Sequence, residues 1–191
     1  MVRAISIFRR IADDRGSNVV EFGLVLLPFL LVVVTIIEVS LTLVSQQVLD
    51  TRTADAARLI SRGGISGLNA SQAAEAVKNT VCNGTVVPFF SSGTCRANLL
   101  IGLQDVTGST PIPPAITGGA TNSAAFSITA TGGSSILLLR TGLVMPAMST
   151  FWNSAMNNLG NGRRLLTSGA ITKVDPYAEY NTSGSSSPPE F

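Results

Sequence analysis

The hydrophobic pattern divides the chain into a long helical part and a part built on strands. Residues 22–37 are 16 positions without a charge, and beyond Glu38 the apolar run resumes to residue 44. A spanning helix needs about 20 residues at ~1.5 Å rise to cross ~30 Å of hydrocarbon. Residues 19–44 supply that length. Residues 45–62 contain neither Gly nor Pro and keep helical spacing, with Val48, Leu49, Arg52, Ala56, Leu59 and Ile60 on one face. Gly63-Gly64 is a stop signal. One helix over 18–62 is therefore predicted, ~65 Å long. After a short loop, Asn69 is placed to cap a second helix over 70–81, with Gln72 three residues on and Ala73, Ala74, Val77 and Val81 on its inner side.

From residue 97 the period changes to two. Leu99, Ile101 and Leu103 alternate with Asn98, Gly102 and Gln104, and Phe126, Ile128 and Ala130 alternate with Ser127, Thr129 and Thr131. Both stretches are predicted as strands, separated by a Pro/Gly/Thr-rich connection over 108–119 and followed by a turn at Gly132-Gly133. Residues 136–144 are nearly continuously apolar, as expected of a central strand covered on both faces, with Pro146 ending it. A short apolar helical segment with Met145, Met148, Phe151, Trp152 and Met156 comes next. A last strand is expected over 163–174, and a flexible Ser/Gly/Pro-rich tail over 177–191.

Composition narrows the function classes. Hydrophobic residues make up 45% of the chain and charged residues 13%, a low charge content that agrees with a membrane segment. There is no histidine, which removes Ser-His-Asp and Cys-His catalysis and most zinc sites. Net charge is +2, and no basic patch interleaved with aromatics marks a nucleic-acid partner. No Walker, Rossmann or nucleophile-elbow motif is present. The expectation is a protein that is not an enzyme, with no cofactor and no metal.

Residues 1–16 carry Arg3, Arg9, Arg10 and Arg15 against Asp13 and Asp14. By the positive-inside rule this leader stays in the cytoplasm and everything after residue 45 lies outside. No small-residue cleavage motif follows the apolar run, so the helix reads as retained rather than as a secretory signal. With the head outside the cytoplasm, pairing of Cys82 with Cys95 is the default. A redox or metal pair is opposed by the 12-residue gap and the absent histidine.

The stretch Gly16-Ser-Asn-Val-Val-Glu21-Phe-Gly-Leu-Val-Leu-Leu-Pro28 does not fit a plain anchor. Glu21 puts a carboxylate at the mouth of the apolar run, and Pro28 removes a helical hydrogen bond, so a kink is expected near 24–28. Glu38, near the far end, reads as a boundary residue that reaches the interface.

Basic leader, Gly16, uncharged Ser17, Glu21 five residues after the glycine and a long apolar helix together resemble a type IV prepilin-type N-terminus. The finer resemblance is to TadE-like proteins of the tight-adherence (Tad/Flp) pilus. It rests on Val20-Glu-Phe-Gly-Leu-Val-Leu-Leu-Pro28 and Ile36-Ile-Glu-Val39, and more loosely on Arg164-Leu-Leu-Thr-Ser-Gly-Ala170 and Asp175-Pro-Tyr177. The departures are the extra Leu27 before Pro28 and Val174-Asp175 where the family has Asn-Glu.

The resemblance implies cleavage between Gly16 and Ser17 by a prepilin peptidase. It also implies an assembly contact from Glu21 to a neighbouring subunit's new amine. Its implied partners are other Tad pilins or pseudopilins, the inner-membrane assembly platform and the lipid bilayer. The predicted fold is α+β: leader 1–16, long helix 17–62 that is transmembrane over about 19–44, a small periplasmic head over 63–176 with a short antiparallel sheet, and the tail. Two other readings remain open: a membrane-anchored periplasmic binding or sensor module, and a type II secretion pseudopilin.

Overall fold

A computed structural model describes residues 14–83, 91–108, 111–129, 136–146, 157–160 and 162–174, with only the backbone described for 14–18. The expected leader structure over 1–13, the turn at 132–133, the helical segment over 147–156 and the tail over 177–191 lie outside the described residues. The chain divides into two compact units, Met1–Leu41 and Thr42–Phe191. The architecture is mixed α+β: a long N-terminal apolar helix and a small head with a short antiparallel sheet.

Helix α1 (Asp14–Ser61) runs unbroken through Pro28 and contributes to both units. Its end is set by two glycines. Gly63, at φ 76°, donates to the Ile60 carbonyl, and Gly64 donates to the Leu59 carbonyl. These are the two bonds of a Schellman cap, which only a residue without a Cβ closes without strain.

In the second unit, α1 buries Ser45, Leu49, Thr53, Ala56 and Ile60, spaced by four, four, three and four. That spacing is one helical face. It differs from the predicted face, because Arg52 and Leu59 are only half-buried while Thr53 is in the core. Thr53 is accommodated by its partners. Its hydroxyl lies 2.7 Å from the Leu49 carbonyl and 2.6 Å from the Thr141 hydroxyl. With one proton each, both bonds form when Thr53 donates to Leu49 and Thr141 donates to Thr53.

Helix α2 (Ala70–Val81) forms as predicted. The Asn69 side chain accepts from the Gln72 amide at 2.9 Å, and the Gln72 side chain accepts from the Asn69 amide at 3.1 Å. Ala73, Val77 and Val81 are buried on its inner side. A second, unpredicted short helix, α3 (Ser92–Asn98), starts at Ser91, whose hydroxyl accepts from the Thr94 amide.

The main sheet contains β1 (Leu99–Asp105), β4 (Ile136–Pro146) and β5 (Arg163–Lys173), in spatial order β1-β4-β5 with antiparallel neighbours. The central strand is the near-continuous apolar run, as predicted. Its Leu137, Leu139, Thr141 and Leu143 face the core, together with Leu99, Ile101 and Leu103 of β1 and Leu166 of β5. Residues of α1 and α2 close this core. A small hairpin, β2 (Ile116–Thr117) and β3 (Ala120–Thr121), turns on Gly118 and Gly119, both at positive φ.

The strand expected from the alternation of Phe126, Ile128 and Ala130 is a 3-10 turn, Ser123–Phe126, followed by a single parallel bridge from Ile128 to Leu103. Asn122 caps that turn by accepting from the Ala124 amide at 3.1 Å. The local side-chain bond competes with extended pairing. The turn lies close over the sheet's other face. A Cβ on Gly102 would stand 2.3 Å from the Ala125 carbonyl oxygen, and one on Gly142 would stand 2.7 Å from the Phe126 ring.

Because the obstacle at Gly102 is backbone, Gly102→Ala is expected to cost about 1–3 kcal/mol. Gly169 on β5 meets only an ordinary 3.7 Å contact, so Gly169→Ala is the matched control. Urea unfolding of the head in detergent-solubilised protein reads both. Equal midpoint shifts would refute the close approach at Gly102.

Candidate functional site

The N-terminal half of α1 is apolar on every side. Val19, Val20, Phe22, Leu24, Val25 and Leu27 are each more than 60% exposed. Exposed large side chains continue through Phe29, Val32, Val34 and Ile36. Burying one such side chain is worth roughly 1.5–3 kcal/mol. A helix apolar all round calls for lipid or neighbouring helices rather than water. Val19–Ser61 is the one described helix long and apolar enough to cross a membrane, which makes it compatible with a membrane anchor.

The Thr35 and Ser40 hydroxyls of this helix are satisfied within it. The Thr35 hydroxyl donates to the Leu31 carbonyl at 2.7 Å, and the Ser40 hydroxyl donates to the Ile36 carbonyl at 2.8 Å. Such back-bonding satisfies a hydroxyl without a second element. Gly23 leaves open space where a Cβ would sit, and an apolar notch there is bordered by Leu26, Leu27, Leu30, Leu31 and Val34.

Gly16 and Ser17 lie within the backbone of α1, and Glu21 is four residues beyond Ser17, so the two positions share a helix face. Glu21 is exposed. Pro28 sits inside the same helix. Glu38 departs from expectation. It is 6% exposed and is not without a partner, whereas a boundary residue reaching the interface would be open. A buried carboxylate is retained only where its charge or lone pairs are met.

The head holds the second predicted pair. Cys82 follows the C-terminus of α2 and Cys95 lies in α3; they form a disulfide with Cα atoms 5.8 Å apart. Elsewhere on the head, a shallow cleft is lined by Gln104, Asp105, Pro111, Ile112 and Pro113. Asp105 is fully exposed. The Thr107 hydroxyl and then the Thr107 amide donate to its carboxylate, which holds its pKa below the ordinary aspartate range. The same Thr107 hydroxyl accepts from the Ile136 amide at 3.0 Å, tying the end of β1 to the start of β4.

Sequence reasoning did not single out Thr53, Thr141 or the glycines under the 3-10 turn. Their roles depend on partners 16 or more residues away.

Residues 16–58 match the model of a family described as TadE-like protein. The matched segment begins at the predicted cleavage glycine and contains Glu21, Pro28 and Glu38, so the N-terminal helix is similar to that family, in agreement with the resemblance carried by its motifs. No curated protein and no solved structure matches the chain.

Proposed function

We propose that this chain is a minor pilin or pseudopilin of a Tad-type (Flp) pilus. The observation that carries the reading is the placement of Gly16, Ser17 and Glu21 at the start of an exposed apolar helix matched by the TadE-like model. In this proposal the arginine-rich leader stays in the cytoplasm and the head lies in the periplasm. A prepilin peptidase cuts after Gly16, and the new Ser17 amine enters the layer where Glu21 sits. A carboxylate and an amine at one depth offset much of each other's desolvation cost, so Glu21 sets the register between packed helices. The chain then primes, joins or tips the fibre, with other Tad pilins and the inner-membrane platform as partners, and carries out no catalysis.

N-terminal sequencing of the protein extracted from membranes tests the processing step. The expected first residue is Ser17. A protein that starts only at Met1 in a strain with an active prepilin peptidase would sink it.

A further inference from the structure

β5 is the last strand of the main sheet, and one of its edges faces away from β4. Which residues point outward follows from their partners. The Leu165 amide and carbonyl are both taken by the Asn158 side chain, the Thr167 carbonyl by Gln46 and the Arg163 carbonyl by the Leu159 amide. In an antiparallel strand the N–H and C=O of one residue point to the same side, and the side alternates. Positions 163, 165 and 167 therefore face outward, and so do Gly169, Ile171 and Lys173.

The first three are capped by the chain itself. Among the described residues no hydrogen bond reaches the outward groups of the last three. At the opposite edge of the sheet, the Leu103 amide donates to Ser127 and its carbonyl accepts from Thr129, so that edge is occupied at its centre.

The open stretch is not guarded in the usual way. Natural edges are blunted by charge, proline or a bulge at the exposed position. Here the centre of the stretch is Ile171, 70% exposed and paired in register with Leu138 of β4. The only charge along it is Lys173 at the end. β5 itself carries Arg163, Arg164 and Lys173 and no acidic residue, and between Thr42 and Val174 nine basic residues stand against four acidic ones.

We propose that the outward edge of β5 at Gly169, Ile171 and Lys173 receives an extended, acidic segment of a partner polypeptide. The segment adds as a further strand. Its backbone bonds the outward amides and carbonyls, an apolar side chain rests on Ile171, and a carboxylate meets Lys173. Main-chain pairing gives the affinity, while the positive surroundings select the charge of the strand.

The test is fluorescence anisotropy on the full chain in detergent micelles, with a labelled valine–glutamate peptide of repeating Thr-Val-Thr-Glu, which sets valine and glutamate in turn on one face of a strand. The controls put lysine in place of every glutamate, or interrupt the first peptide with a central proline. The valine–glutamate peptide is expected to bind, and both controls to bind at least about tenfold more weakly. Hydrogen exchange is expected to slow at the amides of Gly169, Ile171 and Lys173 when it binds. Ile171→Pro removes one outward N–H without touching the β4 ladder, and Lys173→Glu reverses the selecting charge with the backbone intact. Each is expected to weaken binding about tenfold while circular dichroism stays unchanged. If Ile171→Pro does not fold, Lys173→Glu decides. Failure of the valine–glutamate peptide to bind, equal binding of the lysine peptide, or unaltered binding by Lys173→Glu would overturn the proposal.

Discussion

Glu21→Ala is expected to abolish piliation while the protein remains in the membrane at its normal level. The two effects have opposite signs and separate causes. A charged residue costs roughly 2.5–3.5 kcal/mol at a helix centre on insertion scales and less toward the ends, so removing the carboxylate at the mouth of the run still makes α1 a better anchor. In the proposed assembly the same substitution deprives a neighbouring Ser17 amine of its counter-charge, and that amine then stays unpaired in an apolar layer. If the pair offsets a cost up to this size, the association between helices weakens by up to about a hundredfold. Filament counts by electron microscopy and adherent cells report the loss, and an immunoblot of the membrane fraction reports the level. Glu21→Asp shortens the reach by one methylene and is expected to fall between wild type and Ala. Normal piliation with Glu21→Ala would instead favour a membrane-anchored binding or sensor module, in which the carboxylate contacts no subunit.

The features that were legible in the sequence are those whose causes are local. Helix α2 is specified within twelve residues by the Asn69/Gln72 capping box and by buried Ala73, Val77 and Val81. The end of α1 is specified by Gly63-Gly64, and the central strand by an apolar run too long for a one-sided surface. Local signals were also present where the reading stopped short. Gly118-Gly119 between Ile116-Thr117 and Ala120-Thr121 is a hairpin signature, and Ser91 with Thr94 is a cap.

The remainder is not local. Thr53 reads as a surface residue until Thr141, 88 residues on, supplies its partner. The alternation around Phe126 reads as a strand until the Asn122 cap and the space above Gly102 and Gly142 are known. For the site the same division holds. Glu21 stands out in the sequence because the cost of a carboxylate in an apolar run needs no fold to evaluate. In the proposed assembly the group that meets it belongs to another molecule, which this chain's own sequence does not encode.

Replacing Cys82 and Cys95 together by alanine is expected to remove about 3 kcal/mol from the stability of the head. The bridge spans 13 residues, and closing a loop of that size restricts the unfolded chain by about that amount in the entropic model. The bridge also does packing work. Both cysteines are buried, at 2% and 1% exposure, and belong to the same core as Val77, Val81 and Leu99. Alanine fills less of that space, so the loss is expected to lie at or above the loop term, and serine would add a buried hydroxyl in need of a partner. Denaturant unfolding of the detergent-solubilised protein, with and without reductant, separates the contributions. Reduced wild type loses the loop constraint, and the double variant loses constraint and volume. The same pair reports where the head resides. Pairing persists in an oxidising compartment and not in the cytoplasm. Mass spectrometry of protein taken from cells under thiol-blocking conditions is therefore expected to find the 82–95 linkage intact, and two blocked thiols would place the head on the cytoplasmic side and refute the proposed topology.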